Sequence, residues 1–287
     1  MTRKIGLIGA GFMGYGIAMN LIKNKFKLKV IAHKKRKNIN NLVKNGAIEV
    51  KSYSQLCKDI DCLIICVTNT PIAIKIANIT KSKLKTNALV IDITTHNMSG
   101  SIKMNNIFLR KKIRYIESPV MGGPVQALNG ELGAILGGKK ADIKSSQKYL
   151  RAFCKDYIHF GSIGKGAHTK LINNFLALGT TTLVIETIKA TKFMGIDLKK
   201  FYKIAKLGSG NSGALNRIAD KAIKKNYKGY VFTVNNTLKD LTYINELFKK
   251  DCNANKISKL FKNYYKNSIK KGYGNLLISE LVNKKDF

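Results

Sequence analysis

The feature that most constrains this chain lies in its first fourteen residues, where "KIGLI" (4–8) reads as a short buried strand and runs directly into "GAGFMG" (9–14). Apolar residues then recur with helical spacing from Phe12 to Ile22. A strand that feeds a glycine turn and then a helix opens a βαβ unit, and that commits the chain to a parallel sheet. Gly9, Gly11 and Gly14 form G-x-G-x-x-G: the first makes the tight turn, the second lets a pyrophosphate approach the backbone, and the third lets helix and strand pack closely. Backbone N–H groups of the first helical turn, at Phe12, Met13 and Gly14, then face the phosphates. In this context the motif predicts dinucleotide binding; a glycine turn without a ligand is the alternative.

Strand and helix patterns alternate from there, with strands read at 28–32, 62–67, 88–93, 113–117 and 132–138. Alternation of this kind implies a parallel sheet covered on both faces. Near Gly161 the pattern changes: "GSIGKG" (161–166) precedes a long helical reading over 167–194, followed by helical segments only, at 197–207, 214–225, 233–250 and 255–270. The expected fold is α/β, a Rossmann-type doubly wound and mostly parallel sheet over residues 1–162. An all-helical second domain, 163–287, is joined to it by the long helix, with active-site groups at the junction. At 287 residues the chain is long enough for two such cores.

Coenzyme preference can be read at the end of the second strand, where an enzyme for NAD carries an Asp or Glu on the ribose 2′-hydroxyl. Here the segment is "VIAHKKRKN". It holds no acid, and His33, Lys34, Lys35 and Arg36 can answer a 2′-phosphate with charge-assisted bonds. Two such bonds at roughly 1.5 kcal/mol each give about a hundredfold preference. NADP(H) is therefore expected over NAD(H), which stays the second choice.

The 52 Lys and Arg exceed the 16 Asp and Glu to give a net charge of +36, a field that attracts any polyanion. The basic residues recur along the whole chain instead of gathering on one arm, and they accompany many Asn and Ile, so we read them as compositional and expect no specific nucleic-acid partner. Five cysteines without a CxxC pair suggest neither a disulfide framework nor a metal site. Cys62 and Cys66 are expected to fill strand positions. No apolar run approaches the roughly 18–20 residues of a membrane span, and glycines interrupt the N-terminal stretch, so a cytoplasmic location is expected.

Five separated segments resemble the β-hydroxyacid dehydrogenase family, which includes 3-hydroxyisobutyrate dehydrogenase and the glyoxylate or succinic semialdehyde reductases. They are "GLIGAGFMGYGIAMNLIK" at the start, "DITT" at 92–95, "ESPVMGGPVQALNGELGAILGG" at 117–138, "GSIGKGAHTKLINN" at 161–174 and "LKDLTYINE" at 238–246. Lys170 and Asn174, four apart on one helical face, suit an acid and its orienting partner. An ammonium within hydrogen-bond reach of a carbonyl under reduction stabilises the growing charge on oxygen and donates the proton. The resemblance gives that role to Lys170, with Asn174 supporting it.

The resemblance also implies substrate contacts at Met121, Gly122 and Gly123, whose consecutive backbone N–H groups suit a carboxylate. Met121 stands where the family commonly has Ser, so the substrate is expected to differ from that of the best-known members. Thr94 and Thr95 are implied beside nicotinamide and substrate, Thr68 beside the coenzyme, and Lys239 with Asp240 as a pair serving substrate and nicotinamide. Leu277, in "KGYGNLL", stands where an acid often occurs. The expected activity is hydride transfer between NAD(P) and a small β-hydroxy acid or its semialdehyde. Imine reduction on the same architecture is an alternative, as is an inactive dehydrogenase fold that binds nucleic acid. By the same resemblance a homodimer or homotetramer is expected.

Overall fold

The structure is a computed structural model that describes residues 3–33 and 36–284. Contacts divide the chain into two compact units, and the division falls between Lys170 and Leu171, inside the long helix. The first unit begins with β1 (Lys4–Ile8), α1 (Phe12–Lys23), β2 (Lys27–Ile31), α2 (Arg36–Lys44), β3 (Ile48–Val50), α3 (Tyr53–Cys57), β4 (Cys62–Ile65) and α4 (Thr70–Thr80). It continues with β5 (Leu89–Asp92), α5 (Gly100–Leu109), β6 (Arg114–Glu117), β7 (Val120–Met121), α6 (Pro124–Asn129), β8 (Leu132–Leu136), α7 (Lys140–Leu150) and β9 (Cys154–His159). α8 (Lys165–Phe193) follows and leads into the second unit.

Six strands form one parallel sheet in the order β3-β2-β1-β4-β5-β6. The order reverses between β1 and β4, the point where doubly wound sheets open a crevice for ligands. Strands β4 and β5, "CLII" and "LVID", are buried at every residue, as expected of strands covered on both faces. Cys62 lies on β4, whereas Cys66 falls one residue beyond its end.

The sequence-predicted strand at 132–138 is real as β8 but belongs to a separate three-stranded sheet, antiparallel to β7 and parallel to β9. Neither β9 nor the short β3 and β7 stands out in the sequence. β9, "CKDYIH", buries Cys154 and leaves its other residues wholly or partly accessible, so it lacks the apolar run that marks a central strand.

Helix α1 packs on α6 so closely that a Cβ on Gly16 would lie 2.6 Å from the Ala127 carbonyl carbon. The amide of Asn20, itself buried, donates to Ala127 O and Leu128 O at 2.9 Å each. Those bonds satisfy two carbonyls near the end of α6 that have no partner within so short a helix.

The second unit contains the rest of α8, then α9 (Leu198–Ala205), α10 (Gly213–Ala222), α11 (Val234–Leu247), α12 (Cys252–Lys270) and a 3₁₀ turn at Ile278–Asn283. Its core gathers Leu178, Ile185 and Ile188 of α8 with Ile218, Leu241, Ile244 and Tyr265. Side chains of Asp197, Ser212, Thr233 and Asp251 cap the four later helices. Contrary to the expectation that no apolar run is long enough, α8 could cross a membrane by length and composition alone; half of its most apolar stretch is buried inside the fold.

Candidate active site

The glycine turn follows the end of β1 and separates three tasks geometrically. Gly9 has φ +103°, and a Cβ there would stand 2.0 Å from the Cys66 carbonyl oxygen, so the turn can be made only by glycine. A Cβ on Gly14 would lie 1.9 Å from Gly9 O, which is how tightly α1 sits against β1. Around Gly11, by contrast, an added Cβ meets nothing within 4 Å. The middle glycine thus leaves open space beside the backbone at the start of α1, as a pyrophosphate requires.

The Asn38 side chain, at the start of α2, donates to Ala10 O at 2.8 Å and braces the turn from outside. Nothing in the local sequence marks Asn38 for this, because the bond spans 28 residues.

Of the residues expected near a 2′-phosphate, Lys34 and Lys35 lie outside the described residues. His33 is exposed. Arg36 has a different partner from the one expected: its guanidinium holds both oxygens of Glu49 at 3.1 and 2.9 Å. An acid near this position therefore exists, supplied by β3 instead of by the end of β2.

The loop after β7 holds the implied substrate contacts. Gly122 has φ +109°, and a Cβ there would press on Leu132 and Gln126 at 3.0 and 3.1 Å. Gly123 departs from the expected row of free donors, because its N–H already donates to Gln126 Oε1 at 2.9 Å and closes the cap of α6. Met121 stands beside Lys170: Lys170 Nζ donates to Val120 O at 2.8 Å and lies 3.6 Å from the Met121 sulfur. The lysine is thus drawn onto the "PVMGG" segment and is only partly exposed.

Glu117 builds the start of the helix that carries Lys170. Its side chain is fully buried, and Oε1 accepts the N–H groups of Gly164 and Gly166 at 2.8 and 2.7 Å. A carboxylate here satisfies donors that α8 cannot use internally and meets the positive end of its dipole. Gly137 must be glycine for the same reason, since a Cβ would fall 2.0 Å from Glu117 Oε1.

Burial is the largest influence on the Glu117 carboxyl and holds its pKa above the usual carboxylate value, against the lowering effect of Ser101 and the backbone N–H donors. A raised folded-state pKa means that the stability linked to this group is present below about pH 4.5 and declines as pH rises through the folded value. Glu117→Gln cannot ionise, so the variant gains stability relative to wild type as pH increases from 4.5 towards neutrality. Urea unfolding of both proteins across that range measures the difference; a difference independent of pH contradicts the expectation. Glu117→Ala, which strands two buried N–H groups, loses about 2–5 kcal/mol near pH 4.5, and its deficit shrinks as pH rises for the same reason.

The second unit holds Asn174, Lys239 and Asp240, and the first holds the three implied threonines. Asn174, one turn beyond Lys170 on α8, donates to Asp240 Oδ2 at 2.8 Å, and Lys239 Nζ pairs with Asp240 Oδ1 at 2.8 Å. Asp240 is 2% exposed, so one buried carboxylate ties together the two neighbouring polar groups. Thr94 is buried and Thr95 half-buried just past the end of β5, and Thr68 is exposed after β4.

A reversal-point sheet with a glycine cradle at its centre defines a dinucleotide-binding fold. Comparison with known proteins carries this further. Residues 4–161 match the model for the NAD-binding domain of 6-phosphogluconate dehydrogenase, and 164–283 match that for the NAD-binding region of NADP-dependent 3-hydroxyisobutyrate dehydrogenase. The chain belongs to the β-hydroxyacid dehydrogenase family. It is 26% identical over 223 residues to 2-(hydroxymethyl)glutarate dehydrogenase of Eubacterium barkeri, covering 77% of this chain and 74% of that one. A solved 3-hydroxyisobutyrate dehydrogenase from Salmonella typhimurium superposes with a TM-score of 0.90 at 20% identity, covering 98% and 99% of the two chains. An imine reductase from a Pseudomonas species has the same fold at a TM-score of 0.66 and 15% identity, covering 99% of each chain.

Proposed function

We propose that this chain interconverts a small β-hydroxy acid and the matching semialdehyde or oxo acid, with Lys170 as the general acid of reduction and general base of oxidation. The observation that carries the reading is the placement of Lys170: a 2.8 Å bond to Val120 O holds its ammonium beside Met121 and the loop that the family resemblance gives to the substrate. The bound dinucleotide supplies or accepts the hydride. Lys170 Nζ holds the proton, stabilises the oxygen that gains charge and delivers the proton to it. Asn174, one turn on, orients the substrate, with its own amide fixed by Asp240. The name of the Eubacterium relative supports a substrate with a hydroxymethyl group near a carboxylate.

For coenzyme, the reading favours NADP(H). The Arg36–Glu49 pair does not oppose it, because the Arg36 side chain is 60% exposed and a surface pair of this kind is worth only about 0–1 kcal/mol. The guanidinium can turn to a 2′-phosphate at little cost. Imine reduction is the second reading, favoured by the shared fold.

The test is a coenzyme-oxidation screen with NADPH and NADH over glyoxylate, succinic semialdehyde, methylmalonate semialdehyde, tartronate semialdehyde and a cyclic imine. Turnover of at least one semialdehyde or oxo acid is expected, with kcat/KM at least about tenfold higher for NADPH. Turnover of the imine alone gives the site to the second reading, and equal values for the two coenzymes remove the NADP assignment.

A further inference from the structure

A buried polar cluster at the end of β5 has no part in the chemistry described so far. Asp92 and His96 are 0% and 1% exposed, and His96 Nε2 lies 2.8 Å from Asp92 Oδ2. The Tyr115 hydroxyl donates to that same oxygen at 3.1 Å, while Asp92 Oδ1 accepts the Thr94 N–H at 3.0 Å. On the other edge of the ring, His96 Nδ1 is 3.2 Å from the hydroxyl oxygen of Thr70, the first residue of α4. That oxygen also accepts the Asn97 N–H at 3.2 Å. A further bond runs from the Val67 N–H, just past β4, to Thr94 Oγ1 at 3.3 Å.

These bonds stitch together the ends of two neighbouring strands. A carboxylate accepts at both oxygens, so Nε2 is the nitrogen that bears hydrogen towards Asp92, while Nδ1 meets Thr70 Oγ1, whose own hydroxyl also lies 3.5 Å from Asn97 Oδ1. The imidazole therefore transmits the position of β5 to the start of α4. The packing around it leaves no slack: a Cβ on Gly100 would lie 2.8 Å from Thr70 Cγ2 and 2.9 Å from His96 Cβ. Ligands of open parallel sheets lie outside the carboxyl ends of the strands, which is where this loop stands.

We propose that His96 is a positioning residue: by joining Asp92 to Thr70 it holds residues 93–97 in the shape that keeps Thr94 buried against Val67 and presents Thr95 to the dinucleotide. The identity of that ligand rests on the oxidoreductase reading, whereas the latch is a property of the coenzyme-free chain. Three variants separate hydrogen bonding from packing. His96→Ala removes both contacts, His96→Gln keeps an N–H at the reach of Nε2, and His96→Asn reaches only as far as Nδ1.

Two measurements decide: amide hydrogen exchange of the coenzyme-free proteins, and NADPH affinity by calorimetry. In H96A, exchange at residues 94–97 rises about tenfold or more with the remaining sheet unchanged, and the NADPH Kd rises about tenfold, the effect of losing two modest buried contacts. H96Q keeps the charge-assisted bond to Asp92 and loses the contact with Thr70, so it recovers part of both quantities, and more than H96N does. Wild-type protection at 94–97 in H96A overturns the proposal, as does equal impairment of H96Q and H96A, which marks ring volume as the cause. Should H96A fail to fold, the contrast of H96Q with H96N decides alone, and its absence overturns the latch. A wild-type chain that binds neither NADPH nor NADH, yet shows the stated exchange pattern, sinks the oxidoreductase reading and leaves the latch standing.

Discussion

Lys170→Ala lowers kcat by about 10²- to 10⁴-fold, the span usual for one positioned acid, and leaves the Kd of the coenzyme within about twofold of wild type. The separation follows from where the parts lie. The three turn glycines belong to the β1–α1 junction, whereas Lys170 comes from the second turn of α8 and is held by Val120 O. Lys170→Arg keeps the charge and the length but holds its proton too firmly to give it up at neutral pH, so it recovers little of the loss. Equilibrium titration with NADPH, followed by single-turnover reduction of the best substrate from the screen, measures both quantities. A variant that keeps more than a tenth of wild-type kcat removes Lys170 from the role of acid.

Gly11→Ala and Gly9→Ala are expected to fail in opposite ways. At Gly11 the new methyl meets no atom of the chain within 4 Å, and φ is −75°, so stability falls by no more than about 1 kcal/mol. The methyl instead occupies the space of the pyrophosphate. Loss of two backbone bonds to it, at roughly 1.5 kcal/mol each, raises the coenzyme Kd about a hundredfold. At Gly9 the methyl would strike Cys66 O at 2.0 Å from a backbone with φ +103°, so the fold itself loses about 3 kcal/mol or more. Thermal unfolding and coenzyme titration of the two variants make the comparison. An unchanged Kd in Gly11→Ala would exclude this turn as the phosphate site.

These contrasts show which parts of the site the sequence makes legible. The β1–turn–α1 unit is readable because its causes are local: an apolar run, three glycines and a helical period within a score of residues. The second unit is readable in the same way, since α9 to α12 each carry an apolar stripe and a capping side chain at the start. β9 is harder to see because much of it is accessible, so its composition does not report its pairing with β8.

The polar residues that shape the site are less legible still. Asn38, Glu117 and His96 look like ordinary surface residues in the sequence. Each acquires its role from a partner far along the chain: Ala10 O for Asn38, the N–H groups of Gly164 and Gly166 for Glu117, and Thr70 for His96. The converse holds for Gly123 and Arg36, whose residue types suit a ligand but whose hydrogen bonds go to Gln126 and Glu49.

The alternation of the central strands with helices, the glycine cradle and the register that places Lys170 and Asn174 on one face of α8 follow from the sequence by itself, because backbone sterics and side-chain period act over a few residues. Tertiary structure alone decided which carboxylates are buried, which backbone donors are already taken and which side chain holds the loop after β5. A hydrogen bond forms wherever folding brings donor and acceptor to about 3 Å, and chain neighbours do not reveal that distance.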